Sequence, residues 1–586
     1  MALSPVLLLW QIPSPARASA DYWFVGLILL AVGVALVSLR TIRGAGSVSW
    51  WSLLTISTAF LTAATRVALY GWQQYPFSGD AVHHTIAAEM FRRDASVPSS
   101  WIPFALLESF TLNFGFHIWA GDLAHALDLS SHSVVVSFGF VLLGLTALSS
   151  AYLTERLCGR PLAGPLAAVL TGFLMPFPSF LLNWARYPQL FSLIILALLI
   201  AVSVEVLSDG LPWRQVPVFA LLLAGVFVGH FQTALLAAIF VIALLMVMLA
   251  RRQNAARLLG GIALSAMLSL PWFIRLVGHP TTLSSFVPTA TEWSTTYNAV
   301  GELFFAMPLW ALAAAGVGAA IVSIWSFPRA LLLLIWIGLC WGFAASKIGP
   351  LPDGLSMDAS FLQSAAFMIV TPLVAVTAAW FGEIAFVLIS RATAGPNVPL
   401  GSRRANWGRP LSTERDSPAL VLRPSVLPTM VAIILGLTIA LSTNQAVAPD
   451  QRNRLVYLSD IEAMEWLSAN ADENTHILAM NEPAIGASAI VGTDAGWWLP
   501  LTGTSTQLPP IVYLVETPSS TQSTWIQLMA TDNGMTRPLN PDRWLDEGFE
   551  YLYVGVANRW KDISTKRPIS LVYDQDGVRI YDLRTR

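Results

Sequence analysis

Long apolar runs separated by short polar segments recur over the first three quarters of this sequence. A transmembrane helix needs about 20 predominantly apolar residues, and about 12 runs reach or approach that length. This pattern predicts a polytopic α-helical membrane protein with about 12 spans. The predicted spans cover residues 23–40, 50–70, 134–155, 161–182, 189–207, 216–230, 233–250, 257–277, 301–324, 329–346, 360–388 and 427–443.

The apolar run 216–250 is too long for a single span. Near its middle the chain reads Gly229-His230-Phe231-Gln232, where a glycine and two polar side chains interrupt the apolar sequence. Such a combination is typical of a tight turn. We therefore predict two helices joined at His230.

Arginines are concentrated in alternate loops, which indicates the orientation of the chain. Loops rich in Lys and Arg remain on the cytoplasmic side of a membrane, so the intervening loops face outward, among them residues 71–133 and everything after 444. The alternation holds through all the predicted spans. The arginines that define the cytoplasmic side are Arg40, Arg43, Arg156, Arg160, Arg214, Arg251, Arg252, Arg257, Arg329, Arg391, Arg403, Arg404, Arg409, Arg415 and Arg423.

A change in composition near residue 449, from mostly apolar to mixed, divides the chain into two predicted domains. Residues 1–449 form a transmembrane domain whose first large extracytoplasmic loop is 71–133, and residues 450–586 have the composition of a soluble domain. An amphipathic pattern predicts a helix at the start of the second domain, and strand-like runs follow it. We predict a small extracytoplasmic α/β domain with a helix at 460–471, strands at 476–480, 511–515, 551–554 and 569–573, and a hairpin from 574 to 583.

The segment 101–128 is apolar but carries Glu108, His117, Asp122 and His125. An acidic residue in mid-bilayer costs about 2.5–3.5 kcal/mol on insertion scales, and a span here would invert the arginine pattern downstream. We therefore predict helices that lie in the membrane interface.

Overall composition agrees with a membrane protein and excludes several other classes. The 586 residues are 55% hydrophobic and 12% charged, whereas soluble domains carry roughly twice that charged fraction. The formal net charge of −2 gives no indication of nucleic-acid binding. The two cysteines, Cys158 and Cys340, imply no disulfide framework.

The most polar stretch of the first outer loop surrounds Asp80. Ser78-Gly79 predicts a turn before a helix, and Asp80, His83 and His84 then lie on one helix face at i, i+3 and i+4. A carboxylate and two imidazoles beside a membrane can act as base, acid or metal ligands. Alternatively, Asp80 only caps the helix and the histidines are solvated.

Further polar residues lie at the outer ends of the predicted spans. Arg186 and Tyr187 belong to the loop 183–188, where the Arg186 guanidinium can hold a phosphate or extend to lipid headgroups. His230 and Gln232 lie at the outer turn described above, in a structural role or as ligand contacts.

Arg275 and Lys347 lie at outer ends of spans, where positive charge is otherwise scarce. They are candidate phosphate contacts or lipid-headgroup anchors. Asp122 and His125 share a face and can complete a metal site with Asp80, although no recognised metal-binding spacing supports this. A divalent metal is thus possible but not required.

Several short motifs, taken with the layout, resemble the GT-C superfamily of membrane glycosyltransferases, in particular poorly characterised bacterial and archaeal members. The resemblance covers most of the chain. An Asp-x-Asp or Glu-x-Asp motif, present in some members, does not occur here. The similar motifs are Ser78-Gly79-Asp80 with His83 or His84, Phe114-Gly115-Phe116-His117, the loop 183–188, the turn at 229–230, Gly496-Trp497-Trp498-Leu499-Pro500 and Val578-Arg579-Ile580-Tyr581.

The resemblance implies transfer of a sugar from a polyprenyl-phosphate donor to an acceptor on the outer side of the membrane. Asp80 is then the general base, and Arg186, Arg275 or Lys347 stabilises the lipid-phosphate leaving group. The implied partners are a lipid-linked sugar donor and membrane lipids.

Two other classes of protein are also compatible with the sequence. A transporter or flippase would place ionisable residues near mid-span, whereas the charges here are concentrated at the outer ends. A catalytically inactive membrane scaffold with an outer binding domain is the second alternative, because fold analogy does not establish activity.

Overall fold

The computed structural model describes most of the helical part of the chain and portions of the C-terminal region. The described residues are 50–70, 79–93, 97–101, 110, 113–209, 211–277, 307–345, 359–394, 449, 454, 456–472, 475–480, 542–546, 548–556 and 565–584.

The first half of the described chain is helical. A π-helical turn, Leu170–Leu174, continues α5, and a 3₁₀ turn, Trp213–Gln215, precedes α8. The helices are α1 (Trp50–Tyr70), α2 (Gly79–Arg93), α3 (Gly115–Ala126), α4 (Ser131–Cys158), α5 (Ala163–Val169), α6 (Pro176–Asn183), α7 (Tyr187–Asp209), α8 (Val216–Gly229), α9 (Phe231–Ala250) and α10 (Ala256–Val277).

Helices continue after residue 307 and give way to a mixed region after residue 456. This second group comprises α11 (Leu309–Trp325), α12 (Phe327–Ala345), α13 (Ala359–Ala365), α14 (Phe367–Ala394), α15 (Leu458–Asn470), β1 (Ile477–Met480), α16 (Asp542–Asp546), β2 (Tyr551–Val554), β3 (Ser570–Gln575) and β4 (Val578–Asp582).

Six helices of the described part are long and apolar enough to cross a membrane. A seventh candidate span arises if α5 with its π-helical turn and α6, which meet at a bend of 42°, count together. The shorter helices α8, α11 and α12 are also apolar. The protein is therefore a polytopic helical membrane protein. The runs 23–40 and 427–443 lie outside the described residues, so the total of about 12 spans stays a prediction.

The predicted division of the run 216–250 is confirmed. His230 separates α8 from α9 in extended backbone conformation, with φ −162° and ψ 126°. Its imidazole caps α9 by accepting a hydrogen bond from the Thr233 backbone N–H. Capping satisfies one of the N–H groups that a helix start leaves unpaired.

Arginines of two predicted cytoplasmic loops contact helices that precede or follow other loops of the same side. The Arg329 guanidinium donates to the carbonyls of Arg156 and Leu157, and Arg160 lies 3.6 Å from the Glu383 carboxylate. Loops assigned to one membrane side by charge are thus brought together at one end of the bundle. These contacts support the predicted alternation.

At the other end, α2 and α3 lie against each other and against α4. The helix α3 is not among the candidate spans, in agreement with the prediction that 101–128 does not cross the membrane. One face of α3 is nevertheless enclosed by protein, with Phe116, His117 and Ile118 fully buried. This part of the predicted interfacial segment therefore belongs to the core, while residues 102–109 lie outside the described part.

A four-stranded sheet with the order β1-β2-β4-β3 forms in the C-terminal region. β1 pairs in parallel with β2, and the other two pairings are antiparallel. The β3–β4 hairpin turns through Asp576 and Gly577, both with positive φ, as the sequence predicts. The strand expected at 511–515 lies outside the described residues. The boundary at 449–450 and the extracytoplasmic location stay predictions.

Candidate functional site

The helix α2 carries the polar stretch around Asp80. It begins at Gly79, so the Asp80 backbone lies in the first turn and His83 and His84 lie one turn later. Both histidines are buried, which rules out the alternative that they are solvated. The Asp80 side chain lies outside the described part of the chain, so its role as base stays a prediction.

His84 pairs directly with a histidine from another helix. Its Nδ1 lies 2.9 Å from Nε2 of His117 on α3. A hydrogen bond between two ring nitrogens needs one donor and one acceptor, so at least one of the two rings is neutral. Burial lowers the pKa of His117 to about 3 and that of His84 well below its usual value. Both rings are therefore uncharged at neutral pH.

Arg186 brings a permanent positive charge to these histidines. It lies between α6 and α7, directly after Ala185, whose φ of 53° is unusual for a residue other than glycine. Besides burial, the charge of Arg186 contributes to lowering the pKa of His84 and of His230. The Arg186 guanidinium therefore interacts electrostatically with both imidazoles.

His230 completes this group from the turn between α8 and α9. Its ring stacks on Phe361, with 5.7 Å between centroids and 21° between planes. Burial, followed by the charge of Arg186, lowers the pKa of His230 to about 3. His230 thus supplies another neutral imidazole, held by its helix cap and by an aromatic ring.

An aromatic stack supports the pair formed by His84 and His117. Tyr187 and Phe116 stack with 5.6 Å between centroids, and Phe116 stacks on Phe138 at 5.5 Å. His84 meets both Tyr187 and Phe116 edge-on. Such packing restricts the rotamers of His84 and keeps its ring directed at His117.

The structure therefore gathers several sequence-predicted residues and leaves others apart. His83, His84, Arg186, Tyr187 and His230 converge. We name the group of His83, His84, His117, Arg186 and His230 the outer polar cluster. It combines one guanidinium with the neutral imidazoles of His84, His117 and His230 inside protein, where an anion is attracted more strongly than in water.

The remaining candidates have different surroundings. The Arg275 guanidinium donates to the Pro98 carbonyl and lies 5.8 Å from the Phe110 ring, so it holds part of the first outer loop. Gln232 lies in the first turn of α9, half-buried. Lys347 lies outside the described residues. Within the described part no group of three His, Cys, Asp or Glu side chains is arranged to hold a metal ion.

His117 is a site residue that the sequence does not single out as one. It enters the sequence pattern only as a costly polar residue in an apolar segment and as part of a family motif. The available signal is the burial cost itself, because an imidazole inside an apolar segment requires a partner. Its partner, His84, lies 33 residues away along the chain.

Comparison of the sequence alone finds no matching family model and no matching curated protein. Solved structures do resemble this chain. ArnT from Cupriavidus metallidurans, bound to undecaprenyl phosphate, aligns with a TM-score of 0.50 at 14% identity over 91% of this chain and 98% of its own. The apo oligosaccharyltransferase of Archaeoglobus fulgidus aligns with a TM-score of 0.50 at 11% identity, over 86% of this chain and 69% of its own.

A third similar structure is the arabinofuranosyltransferase AftD from Mycobacteria, with a TM-score of 0.53 at 14% identity. The match covers 92% of this chain and 42% of AftD, so this chain spans less than half of that protein. All three are GT-C glycosyltransferases. At such identities the likeness concerns the fold. The chain shares the fold of these three proteins, which is the fold that the resemblance implies.

Proposed function

We propose that this protein is a membrane glycosyltransferase that moves a sugar from a polyprenyl-phosphate donor to an acceptor on the extracytoplasmic side. The observation that carries the proposal is the outer polar cluster. It lies in a GT-C fold and is built partly from α2, whose first turn contains Asp80. A solved protein of similar fold is bound to undecaprenyl phosphate.

Asp80 is the proposed general base. It precedes His83 and His84 by three and four residues, a spacing at which residues share one helix face. A base positioned near the acceptor hydroxyl contributes typically 10²- to 10⁴-fold to the rate of such a transfer. The buried imidazoles beside it are neutral and can donate or accept hydrogen bonds without adding charge.

Arg186 is the proposed contact of the donor phosphate. Transfer breaks the bond between the sugar carbon and the phosphate oxygen, so negative charge on that oxygen increases in the transition state. A guanidinium offers several N–H donors in a fixed plane that suits phosphate oxygens. His84 is buried beside this site, and a buried environment strengthens the attraction between a guanidinium and a phosphate. Arg275 and Lys347 are the further proposed cations for this role.

Binding of the lipid phosphate tests this assignment independently of the sugar, which is unknown. We expect the purified protein in nanodiscs to bind undecaprenyl phosphate and Arg186→Ala to bind it at least about 10-fold more weakly, because a charge-assisted contact contributes about 1.5–3 kcal/mol. Arg252→Ala is the matched control, since Arg252 is an exposed arginine of a predicted cytoplasmic loop. Equal affinity of the Arg186→Ala and unmodified proteins would remove Arg186 from the phosphate site.

A further inference from the structure

A buried arginine lies in the last two turns of α1, within a candidate membrane span. Arg66 is 0% exposed, and no carboxylate of the described residues lies within ion-pair distance of it. Its guanidinium donates to the Gly172 carbonyl and to the Ser179 hydroxyl, the latter at 2.6 Å. It also lies 5.4 Å from the Phe173 ring centroid. A charge buried in this way is costly and is usually functional.

The carbonyl that receives Arg66 has a particular reason to need a donor. In a continuous α-helix the Gly172 carbonyl would accept from the N–H of residue 176, but Pro176 has none. The chain is π-helical over Leu170–Leu174 and bends before α6. The helix thus ends within two residues of Gly172, and Arg66 supplies a donor to a carbonyl that lies in this last turn. Gly172 is also close to α1, because a Cβ there would lie 2.3 Å from Thr62 Oγ1.

A second hydrogen bond repeats the contact one helical turn further out. Tyr70, four residues after Arg66, donates its hydroxyl to Asn183 Oδ1 at 2.7 Å. Asn183 in turn is four residues after Ser179. Residues four apart lie on one helix face, so the Arg66–Ser179 and Tyr70–Asn183 hydrogen bonds join the same faces of α1 and α6. These two hydrogen bonds define the register of α6 along α1.

The register of α6 decides where Arg186 lies, because only Trp184 and Ala185 separate Arg186 from Asn183, the last residue of α6. Ala185 holds a left-handed backbone conformation at φ 53°, which is unfavourable for a residue with a Cβ. The Arg186 N–H bonds back to the Leu181 carbonyl at 2.9 Å. The loop is therefore rigid and transmits the position of α6 to the guanidinium.

We propose that Arg66 and Tyr70 are positioning residues that place the Arg186 guanidinium for the donor phosphate. The proposal rests on the role of Arg186 proposed above. The two residues touch no reacting atom. They hold the bent α5–α6 pair in one register along α1. Arg186 follows α6 directly, so this register places its guanidinium relative to His84 and His230.

Amide hydrogen exchange tests whether Arg66 and Tyr70 hold the loop 184–187, without any assay of activity. Tyr70→Phe and Arg66→Lys should increase exchange at residues 184–187 several-fold, because the loop loses its anchor. Thr65→Val is the matched control, since the Thr65 hydroxyl bonds only to the Leu61 carbonyl of its own helix. Unchanged exchange at 184–187 in Tyr70→Phe, which keeps the ring and its packing, would overturn the positioning role.

A double-mutant cycle on kcat/KM for the lipid-linked donor tests whether Tyr70 acts on the reaction through Arg186. We expect Tyr70→Phe to lower kcat/KM by up to about 100-fold, because loss of the Tyr70–Asn183 hydrogen bond displaces Arg186 from its position at the donor phosphate. In an Arg186→Ala background the same change should have little further effect, because the group to be positioned is gone. Equal losses in both backgrounds would show a general structural role and overturn the proposal.

The outcomes separate this inference from the proposed function. Normal kcat/KM in Arg186→Ala alone would refute the role of Arg186 in the reaction, and with it any effect of Arg66 and Tyr70 on activity through Arg186. The exchange measurement would still decide whether the two hydrogen bonds hold the loop 184–187. A loss in Arg186→Ala combined with additive loss from Tyr70→Phe would refute only the positioning role.

Discussion

The residues of the outer polar cluster acquire their chemistry from burial. His84 and His117 lie 2.9 Å apart with their rings enclosed by protein, so burial keeps them neutral at a pH where an exposed histidine is partly charged. Arg186 contributes a guanidinium to the same group of residues. The cluster thus presents one cation that an anionic group can neutralise, together with neutral donors and acceptors.

Arg186→Lys tests whether the shape of this cation matters as well as its charge. We expect kcat/KM for a lipid-linked donor to fall roughly 10- to 100-fold, because lysine keeps the charge but loses the planar fork of donors. Steady-state kinetics on reconstituted protein measures the effect. Arg252→Lys serves as the control and should leave turnover unchanged. A fully active Arg186→Lys protein would mean that a point charge suffices.

The neutrality of His117 predicts a dependence of stability on pH. Its pKa of about 3 in the folded protein compares with about 6.5 in an unfolded chain. Between these values the unfolded chain binds a proton that the folded protein excludes, so stability decreases as the pH falls from about 6.5 toward 3. We expect melting temperatures to fall over this range, and to fall less in His117→Gln. Equal slopes for the two proteins would contradict a neutral, buried His117.

At the residue scale the sequence predicts local relations and not distant ones. The i, i+3, i+4 spacing alone is enough to place Asp80, His83 and His84 on one helix. The contact of His84 with His117 depends on how α2 packs on α3, and no local pattern specifies that packing. The same is true of Arg66, whose partners lie more than 100 residues away.

Among the elements, α2 and α3 approach each other unusually closely at Gly121. A Cβ at this position would lie 2.6 Å from the Ala88 carbonyl oxygen and 2.7 Å from Phe91 Cβ. Only glycine fits there without movement of one helix. This contact determines the distance between the helix that carries His84 and the helix that carries His117.

Gly121→Ala should therefore separate the two helices. We expect a loss of stability of about 1–3 kcal/mol, typical of overpacking, together with reduced transfer activity. Gly316→Ala in α11 is the matched control, because a Cβ there meets nothing within 4 Å, and alanine is the better helix former. Melting temperatures and transfer rates of the two variants measure the difference. Equal behaviour would contradict the close approach of α2 and α3.

Element boundaries are partly predictable from the sequence. The glycine and polar residues around His230 mark the turn between α8 and α9 correctly. The run 161–182, predicted as one span, contains a π-helical turn and a 42° bend. Pro176 and Pro178 are the available signal, but a proline inside an apolar run indicates a possible kink without its direction.

Within the described part of the chain, arginines of the predicted cytoplasmic loops meet at one end of the helices, and the outer polar cluster lies toward the other. The charge asymmetry predicts that residue 415 is cytoplasmic and residue 540 extracytoplasmic. Single cysteines introduced as Arg415→Cys and Asn540→Cys, in a Cys158→Ala/Cys340→Ala background, test this with a membrane-impermeant thiol reagent on intact cells. Labelling should occur at 540 and not at 415. Labelling at 415 would show that a span has been miscounted.

The proposed function makes Asp80 the base in sugar transfer from a polyprenyl-phosphate donor. The most direct measurement compares transfer by the unmodified protein and by Asp80→Asn in proteoliposomes, over a panel of lipid-linked sugars. Asparagine has nearly the size of aspartate and is as favourable at a helix start, but its amide cannot act as a base. Loss of the charge near the helix N-terminus should cost only about 0.3–1 kcal/mol of stability. We predict that Asp80→Asn folds normally and abolishes transfer, whereas transfer by Asp80→Asn at the unmodified rate would contradict the account.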